Sequence, residues 1–203
     1  MRLFQIITSE KINCQNALVF VFIPLFMLIS VKTNAQNVEQ ISWGEAQRQE
    51  KQWYASEDAK RIADNVLLYQ NNNGGWLKNI DMAEPLDFQK KASLEEKKSV
   101  KSGTTIDNGA THTQMRYLAK VFDETGDKKY EDSFLKGVDF LLAAQYENGG
   151  WPQYFPIRKG YYEHITFNDG AMIGVMNLLR DIAFQKEPYG FIDIERRQNA
   201  KKA

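Results

Sequence analysis

The sequence predicts an all-α fold, an incomplete α/α toroid built from repeated helical hairpins. Three observations carry this expectation. Gln70-Asn-Asn-Asn-Gly-Gly-Trp76 returns as Gln145-Tyr-Glu-Asn-Gly-Gly-Trp151, with the Gln, both Gly and the Trp in register 75 residues later. Each copy closes a stretch whose apolar residues recur at helical spacing. A second string, Thr105-Ile-Asp-Asn-Gly-Ala110, returns as Thr166-Phe-Asn-Asp-Gly-Ala171 at the start of another helical stretch. Each unit thus presents an Asp beside an Asn and a Gly where a helix begins.

The elements follow in order. Ser56-Glu57-Asp58 supplies a cap and two carboxylates for a helix carrying Ala59, Ile62, Ala63, Val66, Leu67 and Gln70 on its buried face, ended by Gly74-Gly75. Residues 78–103 are polar and charged and read as a long decorated loop, with a short helix at Ser93-Leu-Glu-Glu96 suggested by a capping-box pattern. From Asn108 the spacing of Thr111, Met115, Leu118 and Phe122 is helical until Thr125-Gly126-Asp127, where Asp127 caps the next helix. That helix runs through Tyr130, Phe134, Val138, Leu141, Leu142 and Gln145. A break this short between two helices predicts an antiparallel hairpin. A fourth helix runs from about Gly170 to Ile182, and Asp193 caps a fifth that reaches Ala203. Repeat architectures need about three units to bury a continuous core. The sequence holds two and the beginning of a third, which fits either a small helical bundle or a chain cut short.

Residues 18–31 are uncharged and apolar, bounded by Lys11 and Lys32, and followed by the small residues Thr33 and Ala35. The run is too short to span a bilayer comfortably, so a signal peptide over residues 1–35 is expected, with residues 36–203 forming the toroid domain. That implies a secreted or periplasmic location and no stable membrane association after cleavage. The single cysteine, Cys14, would leave with the leader, so stability must come from packing and not from disulfides. About 168 residues would remain, enough for one domain with a sizeable core. Removing Arg2, Lys11, Lys32 and Glu10 from 26 basic and 26 acidic residues leaves 23 against 25, a net charge of −2. Such a balance argues against nucleic acid as a partner, because phosphate binding needs a basic surplus.

Gly-Gly-Trp76, the run from Thr105 to Ala119, Asn148-Gly-Gly-Trp-Pro-Gln-Tyr-Phe-Pro156 and His164-Ile-Thr-Phe-Asn-Asp-Gly-Ala-Met172 together resemble the family 10 polysaccharide lyases that act on pectate. The likeness runs from about Trp43 to the end, and the strings stand in the family's order. What the resemblance implies is an (α/α)3 toroid, secretion, and calcium-assisted β-elimination of polygalacturonate. It also places Asp107 and Asp169 on the family's active-centre Asp motifs, as catalytic residues and Ca²⁺ ligands.

The residue types suit that chemistry. Elimination from a uronan removes the C5 proton beside a carboxylate whose charge opposes carbanion formation, so a cation must sit on that carboxylate. Ca²⁺ takes hard oxygen ligands, which loop carboxylates such as Asp107 and Asp169 supply, with the substrate's own carboxylates completing the shell. An Asp beside Asn and Gly ahead of a helix is also ordinary capping chemistry. The matched repeat and the surrounding strings favour the site. Asn108 and Asn168 either orient the carboxylates against substrate or close turns. Arg158 sits where the family pattern carries an Arg, and its planar fork suits a uronate carboxylate. Lys78 and Lys159 are weaker candidates for the same contact and read more readily as solvated surface charges. Trp151, Tyr154 and Phe155 could stack on sugars, although Trp76 and Trp151 read better as wedges between helices. His112 and His164 lack an evident carboxylate partner, which favours packing or supporting roles over general base.

One departure from the family stands out. The resemblance places the proton-abstracting base, an Arg, in a C-terminal segment for which residues 1–203 hold no match, and Arg196 and Arg197 lie on no matching motif. The sequence therefore leads to the expectation of a truncated lyase with weak or no activity. Three other readings stay open: a non-catalytic pectin-binding remnant, a generic helical scaffold, and a terpenoid-cyclase-like α/α toroid, since both copies also satisfy Gln-x-x-x-Gly-x-Trp. The cyclase reading wants an Asp-rich proton-donor motif, which the sequence lacks.

Overall fold

A computed structural model describes residues 41–99 and 102–203. The expected signal peptide lies outside the described residues. Among the described residues the regular structure is all helical, joined by 3₁₀ turns and two isolated antiparallel bridges, Thr105 with Tyr154 and Pro152 with Ile165. No helix among them is long and apolar enough to cross a membrane.

Short α1 (Trp43–Ala46) opens on a capping box in which Ser42 and Glu45 satisfy each other's backbone groups. Helix α2 (Glu57–Tyr69) starts where Ser56 was expected to cap it, the hydroxyl accepting from Ala59 N–H at 3.2 Å. Its buried face is Ala59, Ile62, Ala63, Val66 and Tyr69. The loop beyond is fastened to α2 by Asn65, whose buried amide donates to the Met82 and Glu84 carbonyls at 3.0 and 2.9 Å. These bonds satisfy backbone groups that a packed loop would otherwise bury unpaired.

Helix α3 (Phe88–Lys97) corrects the expectation for residues 78–103. It starts five residues ahead of Ser93, because Asp87 takes the cap, accepting from Lys90 N–H at 2.7 Å. An Asp that follows Pro85-Leu86 already provides a helix start, and Ser93 falls inside the helix. None of its residues is buried.

Helices α4 (His112–Thr125) and α5 (Lys128–Ala144) form the expected antiparallel hairpin, turning at Gly126 in the left-handed conformation with Asp127 capping α5. They approach closely at Gly137, where an added Cβ would sit 2.8 Å from the Met115 sulfur. Tyr117 and Tyr130 tie the hairpin to α2, donating to Ala59 O at 3.1 Å and to the Asp64 carboxylate at 2.9 Å. Helices α6 (Ala171–Ala183) and α7 (Ile194–Lys202) follow, α7 capped by Asp193 as expected. Arg116 on α4 donates to Asp181 on α6 and to the Tyr189 hydroxyl, each at 3.1 Å. Arg196 on α7 holds the Asp139 carboxylate of α5 through two bonds, at 2.7 and 2.8 Å.

Candidate functional site

The two tryptophans of the repeat are buried and make the same bond. Trp76 Nε1 donates to Val66 O at 2.8 Å and Trp151 Nε1 to Leu141 O at 2.7 Å, each reaching ten residues back into the last turn of the preceding helix. Trp151, expected among the substrate-binding residues, is only 1% exposed and presents no ring face to a ligand. The wedge reading holds for both.

Each wedge then aims a strand-like segment at the same place. Thr105 N–H donates to Trp76 O and Thr166 N–H to Trp151 O, both at 3.0 Å. A 3₁₀ turn follows in each copy, Asp107–Gly109 and Asn168–Gly170, and the two turns lie in contact. Their backbones match: Asn108 has φ 49°, ψ 36°, and Asp169 has φ 50°, ψ 28°. Asn and Asp are the non-glycine residues that tolerate this left-handed region best. Asp107 corresponds to Asn168, and Asn108 corresponds to Asp169, so the two turns exchange acid and amide.

The exchange gives the two carboxylates different surroundings. Asp107 is 2% exposed, and its Oδ2 accepts from Lys78 Nζ and from Gln153 Nε2, both at 2.5 Å. Burial pushes its carboxyl up, but the Lys78 bond and then the Gln153 bond outweigh this and hold it below the ordinary value. The Asp107 bond in turn raises Lys78. Asp107 Oδ1 is buried with no partner among the described residues. Asp169 is exposed and accepts one bond, from the Asn168 amide at 2.9 Å. Asn168 also accepts from the Thr166 hydroxyl, and Asn108 donates to Asn79 Oδ1 at 3.0 Å.

Lys78 is therefore part of the site and not the solvated charge expected of it, and Gln153 was not singled out at all. The repeat contained the signal for both. Lys78 and Gln153 each stand two residues after the repeat Trp, so the two copies deliver their equivalent side chains onto one carboxylate oxygen.

The start of α4 is strained beside this carboxylate. Thr111, with φ 67° and ψ −63°, forms a γ-turn closed by His112 N–H to Ala110 O at 2.8 Å. A β-branched residue at positive φ is a genuine outlier and persists only where its surroundings fix it. They do so here: the buried Thr111 hydroxyl accepts from Trp76 N–H at 3.2 Å and donates to Thr105 O at 2.8 Å. Strand-like segment, wedge and turn are locked by one side chain.

The other expected residues spread outward. Tyr154 is nearly buried and stands between Lys78 and Arg158, whose cationic groups lie 5.9 and 5.4 Å from its ring centroid. His112 packs against Gly174 of α6, where an added Cβ would sit 2.4 Å from its Nε2. Burial, and then the Arg116 charge, push its imidazole down to about 4, so it is neutral at pH 7 and packed away as expected. His164 is exposed and lines a hollow with Gln153, Thr166 and Asn168. Lys159 is exposed, in keeping with a surface charge.

Helical hairpins that bring their polar turns together at one end define the class, the α/α toroids, and here the turns carry acids, amides and cations. The profile of the pectic acid lyase family matches residues 70–203, and the chain belongs to that family. A solved family 10 polysaccharide lyase from Cellvibrio cellulosa is 36% identical, with a TM-score of 0.60 over 75% of this chain. A mutant of that lyase in complex with trigalacturonic acid is 35% identical, with the same TM-score and coverage. The chain spans 45% of the length of these two lyases. No curated protein matches the chain.

Proposed function

We propose that the chain is the substrate-holding part of a secreted or periplasmic pectate lyase, acting on polygalacturonate by calcium-assisted β-elimination. The observation that carries this reading is the pair of touching turns, Asp107–Gly109 and Asn168–Gly170, in a member of the pectic acid lyase family. The trigalacturonic acid held by the related Cellvibrio lyase supports a galacturonate substrate. A polar site with an exposed carboxylate does not suit the polyprenoid of the cyclase reading.

The donor set fits a hard cation. Asp107 Oδ1 is an unpartnered, buried carboxylate oxygen, and Asp169 offers an exposed carboxylate on the adjoining turn. Among the described residues no three His, Cys, Asp or Glu side chains converge, so amide and backbone carbonyls, water and substrate carboxylates would supply the rest of a calcium shell. Bound there, Ca²⁺ would neutralise the uronate carboxylate and acidify the neighbouring C5–H. In the elimination a base takes the C5 proton, the freed electron pair forms the C4–C5 double bond, and the glycosidic oxygen leaves C4.

The residues of this chain prepare that step. Lys78, fixed by Asp107, places a second positive charge beside the turn. Asn108 and Asn168 orient their turns and offer amides to sugar hydroxyls. Three of the groups at the turns are occupied in ways that keep them from acting as the base: Asp107 is ion-paired, Lys78 is held protonated by that pair, and His112 is packed against α6. We therefore expect residues 1–203 to bind polygalacturonate and to eliminate it weakly or not at all.

The test is ultraviolet detection of unsaturated product from polygalacturonate, with calcium and with chelator, alongside direct binding. Calcium-dependent binding with little or no product supports the reading. Abundant product would show that a base is present, and absence of binding by the folded chain would remove polygalacturonate as the ligand.

A further inference from the structure

Arg158 forms none of the ion pairs found among the described residues, unlike Arg61, Arg116, Arg180 and Arg196. It is nonetheless held. Its guanidinium carbon lies 5.4 Å from the Tyr154 ring centroid and 5.3 Å from that of Tyr162, and these two rings meet edge to face at 5.2 Å. Cation–π contact with two rings fixes the plane of the fork while leaving its N–H donors without an acid. Beside it Tyr161, perpendicular to Tyr162 at 5.9 Å, is 73% exposed. Ser102, Gly103, Tyr154, Pro156, Ile157 and Arg158 line a hollow of about 240 Å³ next to the fork.

These features combine two kinds of recognition. A fixed guanidinium without a protein acid is a receptor for a planar anion, carboxylate above all. An exposed phenol ring standing beside it offers a flat apolar face to a sugar ring. The remainder of the chain carries no basic surplus, so attraction for an anion must be local to such groups. Tyr154 makes the arrangement continuous with the carboxylate turns, since Lys78 lies against the same ring that Arg158 does.

We propose that Arg158, Tyr161 and Tyr162 form a second uronate subsite, separate from the two carboxylate turns and joined to them across the Tyr154 ring. It rests on the reading of the chain as a polygalacturonate binder, and it adds a role: holding a more distant uronate of the same polymer and so favouring longer chains. Arg158 supplies the carboxylate contact, Tyr162 sets its plane, and Tyr161 carries the sugar face.

The test is affinity electrophoresis of the full chain through gels containing polygalacturonate or its fully methyl-esterified form, followed by calorimetry with short and long galacturonate oligomers. Wild type should be retarded by the acidic polymer only. Arg158→Ala should weaken binding of long oligomers about tenfold and leave short ones unchanged. Arg158→Lys should restore little of this, because an ammonium lacks the fork, whereas Tyr161→Phe should bind as wild type and Tyr161→Ala should not. Both positions tested, Arg158 and Tyr161, carry exposed side chains, so matching thermal melts of the four variants confirm folding. If wild type is not retarded, the polygalacturonate reading itself fails. If wild type is retarded but Arg158→Ala and Tyr161→Ala bind every length as wild type does, the subsite is overturned while that reading stands. A loss for Arg158→Ala that is equal on short and long oligomers would place Arg158 in the first site and overturn the second.

Discussion

The two copies of the Gln-Gly-Gly-Trp unit close by the same local bonds and have very different surroundings. In both, a tight loop closes on itself, Asn71 N–H to Gly75 O at 3.0 Å and Tyr146 N–H to Gly150 O at 2.9 Å, and the indole bonds back to its own helix. In the first copy α5 presses on the outside of the loop. Gln70 donates to Ser133 O at 2.9 Å, a Cβ at Gly74 would stand 2.2 Å from Lys136 O, and one at Gly75 would stand 2.6 Å from the Phe140 ring. In the second copy Gln145 reaches Ala203 O at 2.8 Å, but a Cβ at Gly149 would meet nothing within 4 Å. The lesson is that the string specifies its own loop by local bonds, whereas the neighbour it carries is a separate matter. The same holds at the turns, where Asp107 is enclosed by Lys78 and Gln153 while its counterpart Asn168 is exposed.

The largest test of this contrast is a matched pair of glycine substitutions. Gly74→Ala combines positive φ with a backbone collision and should cost about 4 kcal/mol or more, whereas Gly149→Ala meets only the φ penalty, about 1 kcal/mol. Denaturant melts measure both, and equal costs would mean that α5 does not brace the first copy.

His112 sharpens the comparison at the helix starts, because its counterpart in the second turn, Ile173, is 56% exposed. A histidine whose folded value is depressed from 6.5 to about 4 stabilises the fold above pH 6.5, and that stability is lost as pH falls towards 4. The loss should reach about 3 kcal/mol. Subtracting the pH profile of His112→Gln from that of wild type isolates it, and a flat difference would show the imidazole to be solvated.

The paired acids should separate next. Asp107→Asn leaves Lys78 and a buried pocket mismatched and should lower stability at pH 7 by about 2 kcal/mol, while Asp169→Asn should stay within about 0.5 kcal/mol. Both should nonetheless weaken calcium-dependent polygalacturonate binding, which distinguishes a shared site from a merely structural Asp107. The smallest contrast is expected where the copies agree. Trp76→Phe and Trp151→Phe each strand one helix carbonyl and should cost alike, about 1 to 2 kcal/mol.

Much of this was legible beforehand. Ser56, Asp127 and Asp193 cap the helices expected of them, and the α4–α5 hairpin follows from the short break at Gly126. Caps act over three residues and periodicity over one helix, so neither needs the rest of the chain. At the start of α3 two capping signals compete and the upstream Asp87 wins. The sequence leaves two roles open for Trp151, and only burial separates them. No local pattern ties Lys78 to the site, because its partner, Asp107, lies 29 residues along the chain.

By itself the sequence determined the repeat, most of the helices and the two turns of Asp, Asn and Gly, because these rest on bonds between residues near in the chain. Its likeness to the pectate lyases also pointed to the family. Only the tertiary structure decided which acid is enclosed and which is open, that Lys78 and Gln153 converge on one oxygen, that Thr111 is strained between Trp76 and Thr105, and that Arg158 stands between two tyrosines outside the ion pairs found among the described residues. Those outcomes depend on which side chains distant segments bring together, and on how much water is left around them, so charge and chemistry at the site are set by packing that no local pattern encodes.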